Sequence, residues 1–243
     1  GFRYKRSGGP VSIVRDGSLI GVEDRDHRLM LPTLPRFIRY RGGITWRINN
    51  LAKRYGCPDF YEPGAGDTVV DIGSNIGEFS LYALSRGART YSFEPDPTVY
   101  ECLSYNLGRY PDAKALKLAL WNEQTTLRFS SAPDKADSSF FAPDSHVQDV
   151  IELEAARLDD VAEIQGLETI DFIKMDGEGA EPEILEGAAN TLKRTRRIAI
   201  DVGPEREGQS TRDAVVEILE AAGFSIAAHD GECELLARNS RLS

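Results

Sequence analysis

The hydrophobic pattern changes rhythm at about residue 67. From there on, short apolar runs bounded by Gly, Asp or Pro alternate with stretches whose apolar residues recur every three or four positions. Such alternation predicts a parallel sheet covered by helices, because strands buried on both faces need continuous apolar runs and the crossovers between them need amphipathic helices. DTVVDIG reads as a first buried strand, GEFSLYALSRG as a helix with Phe79, Ala83 and Leu84 on one face, and RTYSFEP as the next strand. PTVYECLSYNLGRY predicts a helix opened by Pro97, with Tyr100, Leu103 and Leu107 facing the core. AKALKLALW is a third strand, TTLRFSS and DVIELEAARL are further strands, and LDDVAEIQG is a short helix. TIDFIKMD then predicts a fourth core strand, EPEILEGAANTLKR one helix, RRIAIDVG a fifth strand and TRDAVVEILEAAGF a last helix. FSIAAHD and ECELLAR close the chain as an antiparallel edge hairpin over Asp230 and Gly231.

Ahead of residue 67 the pattern is different. VSIVRDGSLIGV sets two aliphatic runs around Asp16 and Gly17, a hairpin signal, since Gly accepts the positive φ that tight turns require. Residues 27 to 63 are punctuated by Pro32, Pro35, Gly42, Gly43, Pro58 and Pro63 around amphipathic pieces such as ITWRINNLAKRY. We read residues 1–63 as a hairpin and helical preface packed on a main domain of residues 64–243.

Composition narrows the function classes. The 243 residues are 41% hydrophobic and 28% charged, enough for one sizeable core, and the net charge of −10 disfavours long-range attraction to nucleic acid or anionic lipid. No apolar stretch approaches the roughly 18 residues of a membrane span. GFRYKRSGGP lacks the apolar middle of a secretory signal, and Gly1 in place of a Met admits a trimmed chain or one domain of a longer one. The expectation is a soluble cytoplasmic protein without membrane or nucleic-acid partners. Cys57, Cys102 and Cys233 have no metal-ligand spacing and read as reduced thiols.

Candidate chemistry begins in VVDIGSNIGEFS, where a strand ends, a loop carries Gly73, Ser74, Asn75 and Gly77, and a helix begins near Glu78. Open α/β sheets bind ligands at this carboxyl edge. A dinucleotide fingerprint would need glycines at 75 and 78, and Asn75 and Glu78 block a pyrophosphate, so NAD and FAD fit poorly. Carboxylates at Asp71, Glu78 and Glu94 instead suit a ligand with its own positive charge, such as S-adenosylmethionine. Glu94, followed by Pro95, closes the second strand where an acid can accept hydrogen bonds from both ribose hydroxyls.

GDTVVDIGSNIGEFSLYALSRG, YSFEPDP, RLDDV and TIDFIKMDGEGAEPEILEGA together resemble the FkbM family of S-adenosylmethionine-dependent methyltransferases, from about residue 64 to residue 202. The resemblance implies the α/β class I methyltransferase fold, Rossmann-like, with seven strands and the last antiparallel. It implies methyl transfer to hydroxyls of sugars, glycans or polyketide-type products. Position by position, it implies that Asp71, Gly73, Asn75 and Gly77 form the donor loop, that Glu94 is the ribose acid, and that Trp121 stands where the adenine is commonly held. It places residues 176 to 181 on the family's "DxEGxE" segment. Gly177, where an aliphatic residue is usual, and the DVGPER stretch from Asp201 depart from the family pattern.

A hydroxyl acceptor needs a proton acceptor beside the strand ends. Asp176, which also borders the donor loop, and Glu178 are the first candidates, with Asp201 and His146 behind them. His146 lies in a Ser-, Asp- and Pro-rich loop near residues 131 to 145 that is long enough for a lid and carries Phe140 and Phe141. Glu181 reads as a helix-start residue with a structural role. Asp176, Glu178, Asp201 and Glu205 could gather around Mg2+, but the family pattern does not demand a metal and none is favoured. The rival reading is a non-catalytic nucleoside-binding domain of the same fold, and a homodimer is one partner the sequence admits.

Overall fold

The computed structural model describes residues 11–131, 149–227 and 234–242. Phe140, Phe141 and His146 of the expected lid, the expected turn at Asp230 and Gly231, and Cys233 lie outside these residues.

The hairpin forms where its turn residues demand it: β1 (Ser12–Asp16) pairs antiparallel with β2 (Leu19–Glu23), and Gly17 turns between them at φ 57°. A third strand, β3 (Arg28–Leu31), joins β2 in a small sheet. The sequence reading leaves β3 inside the irregular preface, since RLML is four residues without alternation. A 3-10 helix at Leu34–Tyr40 and α1 (Ile44–Arg54) follow.

Seven strands then make the main sheet. They are β4 (Thr68–Ile72), β5 (Arg89–Phe93), β6 (Ala113–Leu116), β10 (Ile170–Met175), β11 (Thr195–Asp201), β12 (Phe224–Ala227) and β13 (Glu234–Asn239). Their order is β12-β13-β11-β10-β4-β5-β6, parallel except for β13, which runs antiparallel to both neighbours. This is the class I methyltransferase arrangement, with the last strand inserted rather than added at the edge. The crossovers are α2 (Glu78–Leu84), α3 (Pro97–Leu107), α4 (Ala162–Gln165), α5 (Glu181–Glu186), α6 (Ala189–Leu192) and α7 (Arg212–Ala221).

Two expected elements are divided. AKALKLALW gives β6 in the main sheet and β7 (Ala119–Leu120) in a second small sheet with β8 (Thr125–Ser131) and β9 (Asp149–Ala156). EPEILEGAANTLKR breaks into α5 and α6 at Gly187, where a Cβ would sit 2.1 Å from the carbonyl oxygen of Trp121. The close approach of that segment to the end of β7 therefore decides the break.

The sheet separates two cores. One face carries Val70, Ile173, Ile198, Ile184 and Val215. The other is shared with the preface, whose Tyr40, Ile44, Ile48, Tyr55 and Tyr61 pack with Phe79, Leu103 and Phe172. Tyr61 stacks on Phe172 at 4.5 Å between ring centroids, and Tyr55 meets Phe79 edge-on at 5.9 Å. Buried Asn106 on α3 joins the layers, accepting from Met30 N–H at 2.7 Å and donating to the carbonyls of Met30 (3.1 Å) and Ile76 (2.9 Å). Among the described residues no helix is long and apolar enough to cross a membrane.

Candidate donor site and the carboxylates beside it

The loop leaving β4 takes left-handed backbone at Gly73 (φ 65°), Asn75 (φ 53°) and Gly77 (φ 94°). A Cβ on Gly73 would lie 1.9 Å from the carbonyl oxygen of Asp176, so loop and β10 end touch backbone to backbone. A Cβ on Gly77 would lie 3.0 Å from Leu103, and this glycine lets α2 settle on α3. Ser74 is tied to Phe93, its N–H (2.9 Å) and hydroxyl (2.8 Å) both donating to that carbonyl.

Glu94 completes the loop's outer side. Asn75 N–H donates to Glu94 Oε2 at 3.0 Å, and Asp96 N–H donates to Oε1 at 3.0 Å. Asp96 in turn caps α3 through Thr98 and Val99 N–H. Burial pushes the Glu94 carboxyl up to about 7, against the lowering effect of those two N–H groups. Pro95 and Trp121 are half-buried, and Trp121 packs on the second core.

Asp71 and Glu78 are both buried and already partnered within the chain. Asp71 is fully buried beneath the loop, accepting from Ser80 Oγ at 2.6 Å and lying 3.3 Å from Lys174 Nζ. The β4–β10 register sets Lys174 directly opposite Asp71. Lys174 also donates to the carbonyls of Gly73 (2.7 Å) and Ile72 (3.2 Å), so one buried ammonium holds the floor of the loop. Glu78 turns toward the preface, accepting at 2.8 Å from both Tyr40 OH and Arg47 Nε. A buried carboxylate needs a partner, and the preface supplies two.

Across the loop, Asp176 sits at the end of β10 and accepts from the buried Tyr55 OH at 3.0 Å. Asp176, Glu178 and Glu205 bring carboxylate oxygens within 4.8 Å of one another. Glu178 stands at φ 51°, a left-handed conformation held by the turn after β10. Burial, and then the charges of Asp176, Asp201 and Glu181, push Glu205 up to about 8. Carboxylates this close can share one proton or ligate one divalent cation. Either arrangement would relieve the mutual repulsion that raises Glu205.

Asp201 has a further set of partners. It is paired across β11–β13 with Glu234, and Arg54 clamps both, donating to Asp201 Oδ2 at 2.8 Å and to Glu234 Oε1 at 2.6 Å. With Gly203 N–H at 3.0 Å on its other oxygen, Asp201 is committed to holding α1 against the sheet. Glu181 accepts from Gly177 and Gly179 N–H, each at 3.0 Å, and from Thr211 Oγ1 at 2.9 Å. A side chain at Gly177 would press on that carboxylate at 3.0 Å, which accounts for glycine where an aliphatic residue was expected.

Sequence reasoning missed Lys174, Tyr55 and Arg36, and took Glu205 only as a metal ligand. Lys174 had a signal, a lysine inside the apolar strand TIDFIKMD, since a charge buried there must be partnered. Tyr55 and Arg36 had none, because their partners are far off in sequence.

A model of the methyltransferase FkbM domain matches residues 71–226. The chain belongs to the FkbM methyltransferase family. S-adenosylmethionine is the methyl donor of this FkbM-family chain, and the residues fit it: the buried Glu94 carboxylate is hydrogen-bonded to the glycine loop, and the acidic groups across the loop suit a positively charged ligand. The chain is 28% identical over 196 residues to the 2-O-methyltransferase NoeI of Sinorhizobium fredii, covering 72% of this chain and 80% of that protein. It is 28% identical over 196 residues to the 31-O-demethyl-FK506 methyltransferase FkbM of Streptomyces tacrolimicus, covering 67% and 74%. The AMB antimetabolite synthetase AmbE of Pseudomonas aeruginosa is 29% identical over 201 residues, which are 65% of this chain and 10% of that protein; the chain spans only that small part of it.

Proposed function

We propose that this chain methylates a hydroxyl oxygen of a sugar, glycan or polyketide-type acceptor, and that the acceptor hydroxyl enters beside Asp176, Glu178 and Glu205. The observation that carries this reading is the three-carboxylate cluster at the end of β10, next to the donor loop through the Gly73–Asp176 contact. In this reading Gly73, Ser74, Asn75, Gly77, Glu94 and Pro95 hold the donor, with Trp121 on the adenine side. S-adenosylmethionine supplies a methyl group on a positively charged sulfur. Asp176 orients the hydroxyl, its own position set by Tyr55, and the proton leaves the hydroxyl for the cluster, where the carboxylates share it. Relatives named as a 2-O-methyltransferase and a 31-O-demethyl-FK506 methyltransferase support oxygen as the acceptor atom.

The test is an acceptor screen with labelled S-adenosylmethionine over hydroxylated sugars, oligosaccharides and polyketides. Product carrying one added methyl on oxygen, lost in Asp176→Asn with donor binding intact, is the expected result. Methyl transfer to nitrogen, or donor binding without transfer to any acceptor of these classes, would overturn the reading.

A further inference from the structure

The preface grips both ends of the donor loop. Arg36, in the 3-10 helix at Leu34–Tyr40, is only 3% exposed and donates through Nη1 to Asn75 Oδ1. Tyr40 and Arg47 hold Glu78 at the loop's other end. An apolar residue at position 36 would be buried at no desolvation cost, so a guanidinium there is retained for its hydrogen bonds. Asn75 Oδ1 also accepts from Ile76 N–H at 2.9 Å, so both of its lone pairs are engaged and the side chain is fixed. The main chain of the same residue, at φ 53°, sends its N–H to Glu94 Oε2. Outside glycine, that backbone region is sparsely populated, and it persists where surroundings over-determine it.

We propose that Arg36 is a positioning residue for the methyl donor: it locks Asn75, Asn75 aims its N–H at Glu94, and Glu94 is thereby held ready for the donor. Donor affinity is then set partly by a residue of the N-terminal segment, 39 positions from its contact in the loop. The inference rests on the reading of Glu94 and the loop as the donor site.

The test is calorimetric titration of the full chain with S-adenosylhomocysteine, without acceptor, for wild type, Arg36→Met, Arg36→Lys, Asn75→Gly, the double variant Arg36→Met with Asn75→Gly, and Glu94→Gln. Thermal unfolding of each unliganded variant is recorded alongside. Arg36→Met should weaken binding about tenfold, or about 1.4 kcal/mol, with Arg36→Lys between it and wild type. Under saturating donor its kcat should stay near wild type while the donor KM rises. The double variant should bind no worse than its weaker parent, since both changes break one connection. Wild-type affinity in Arg36→Met, or additive losses in the double variant, would overturn the inference. Should Arg36→Met fail to fold, Arg36→Lys reads the same connection, and wild-type affinity there overturns it. Unchanged binding in Glu94→Gln would instead bring down the donor-site reading itself.

Discussion

Glu94 shows how a single residue can carry both a site and a pH dependence. Its carboxyl, at about 7 in the folded chain against 4.5 as the ordinary value, binds more proton folded than unfolded across that interval. Folding stability attributable to Glu94 therefore falls as pH rises from about 4.5 to 7, and the slope of melting temperature against pH should flatten in Glu94→Gln. A ribose that donates hydrogen bonds favours the ionised form. S-adenosylhomocysteine affinity should rise with pH through about 7, with net proton release seen by calorimetry in two buffers of different ionisation heat. Lys174 is the second case. Lys174→Met strips buried Asp71 of its cation and frees two carbonyls, and denaturant unfolding should show a loss of about 3–5 kcal/mol. Glu94 was legible as a candidate for the donor site because an acid at a strand end needs only local pattern. That Glu94 would be starved of water and lifted toward neutrality was not, since burial is a property of what packs over it.

At the scale of elements, the strand ends make the chemistry. β10 ends in Asp176 and the segment after β11 returns Glu205 beside it, so two neighbouring parallel strands deliver carboxylates to one place. Within the cluster, burial and the neighbouring carboxylate charges raise Glu205 to about 8. Turnover should rise with pH toward a plateau above about 8 as Glu205 loses its proton, and Glu205→Gln should shift or abolish that limb in a pH–rate profile. The β4–α2 loop is equally dependent on its neighbour: Gly73→Ala drives a methyl into the Asp176 carbonyl and strains a positive φ. Donor binding should be lost by calorimetry in that variant, with a lowered melting temperature. The loop and Asp176 were readable as motifs. Asp201 was a catalytic candidate from a strand-end position like that of Asp176, and what the sequence did not show is that antiparallel β13 brings Glu234 opposite it, under Arg54.

The molecule as a whole is tied through the core that the preface and the sheet share. Tyr40, Ile44, Tyr55 and Tyr61 are buried against α2, α3 and β10, and deleting residues 1–63 would uncover Phe79, Leu103 and Phe172 together. A chain beginning at residue 64 should lack a cooperative thermal transition and bind an apolar dye, whereas the full chain should unfold in one step.

The sequence by itself determined the alternation of core strands and helices after residue 67, the glycine loop, and Glu94 and the Asp176 segment as candidates, because these follow from local apolar period, backbone freedom and residue chemistry within short stretches. The tertiary structure alone decided which partners each carboxylate meets. Glu78 is bound by Tyr40 and Arg47, Asp201 by Arg54, and Asp71 by Lys174, while Asp176, Glu178 and Glu205 converge. The physical reason is that a carboxylate's role depends on the cations, donors and burial around it, and here those come from segments up to 147 residues away in the chain.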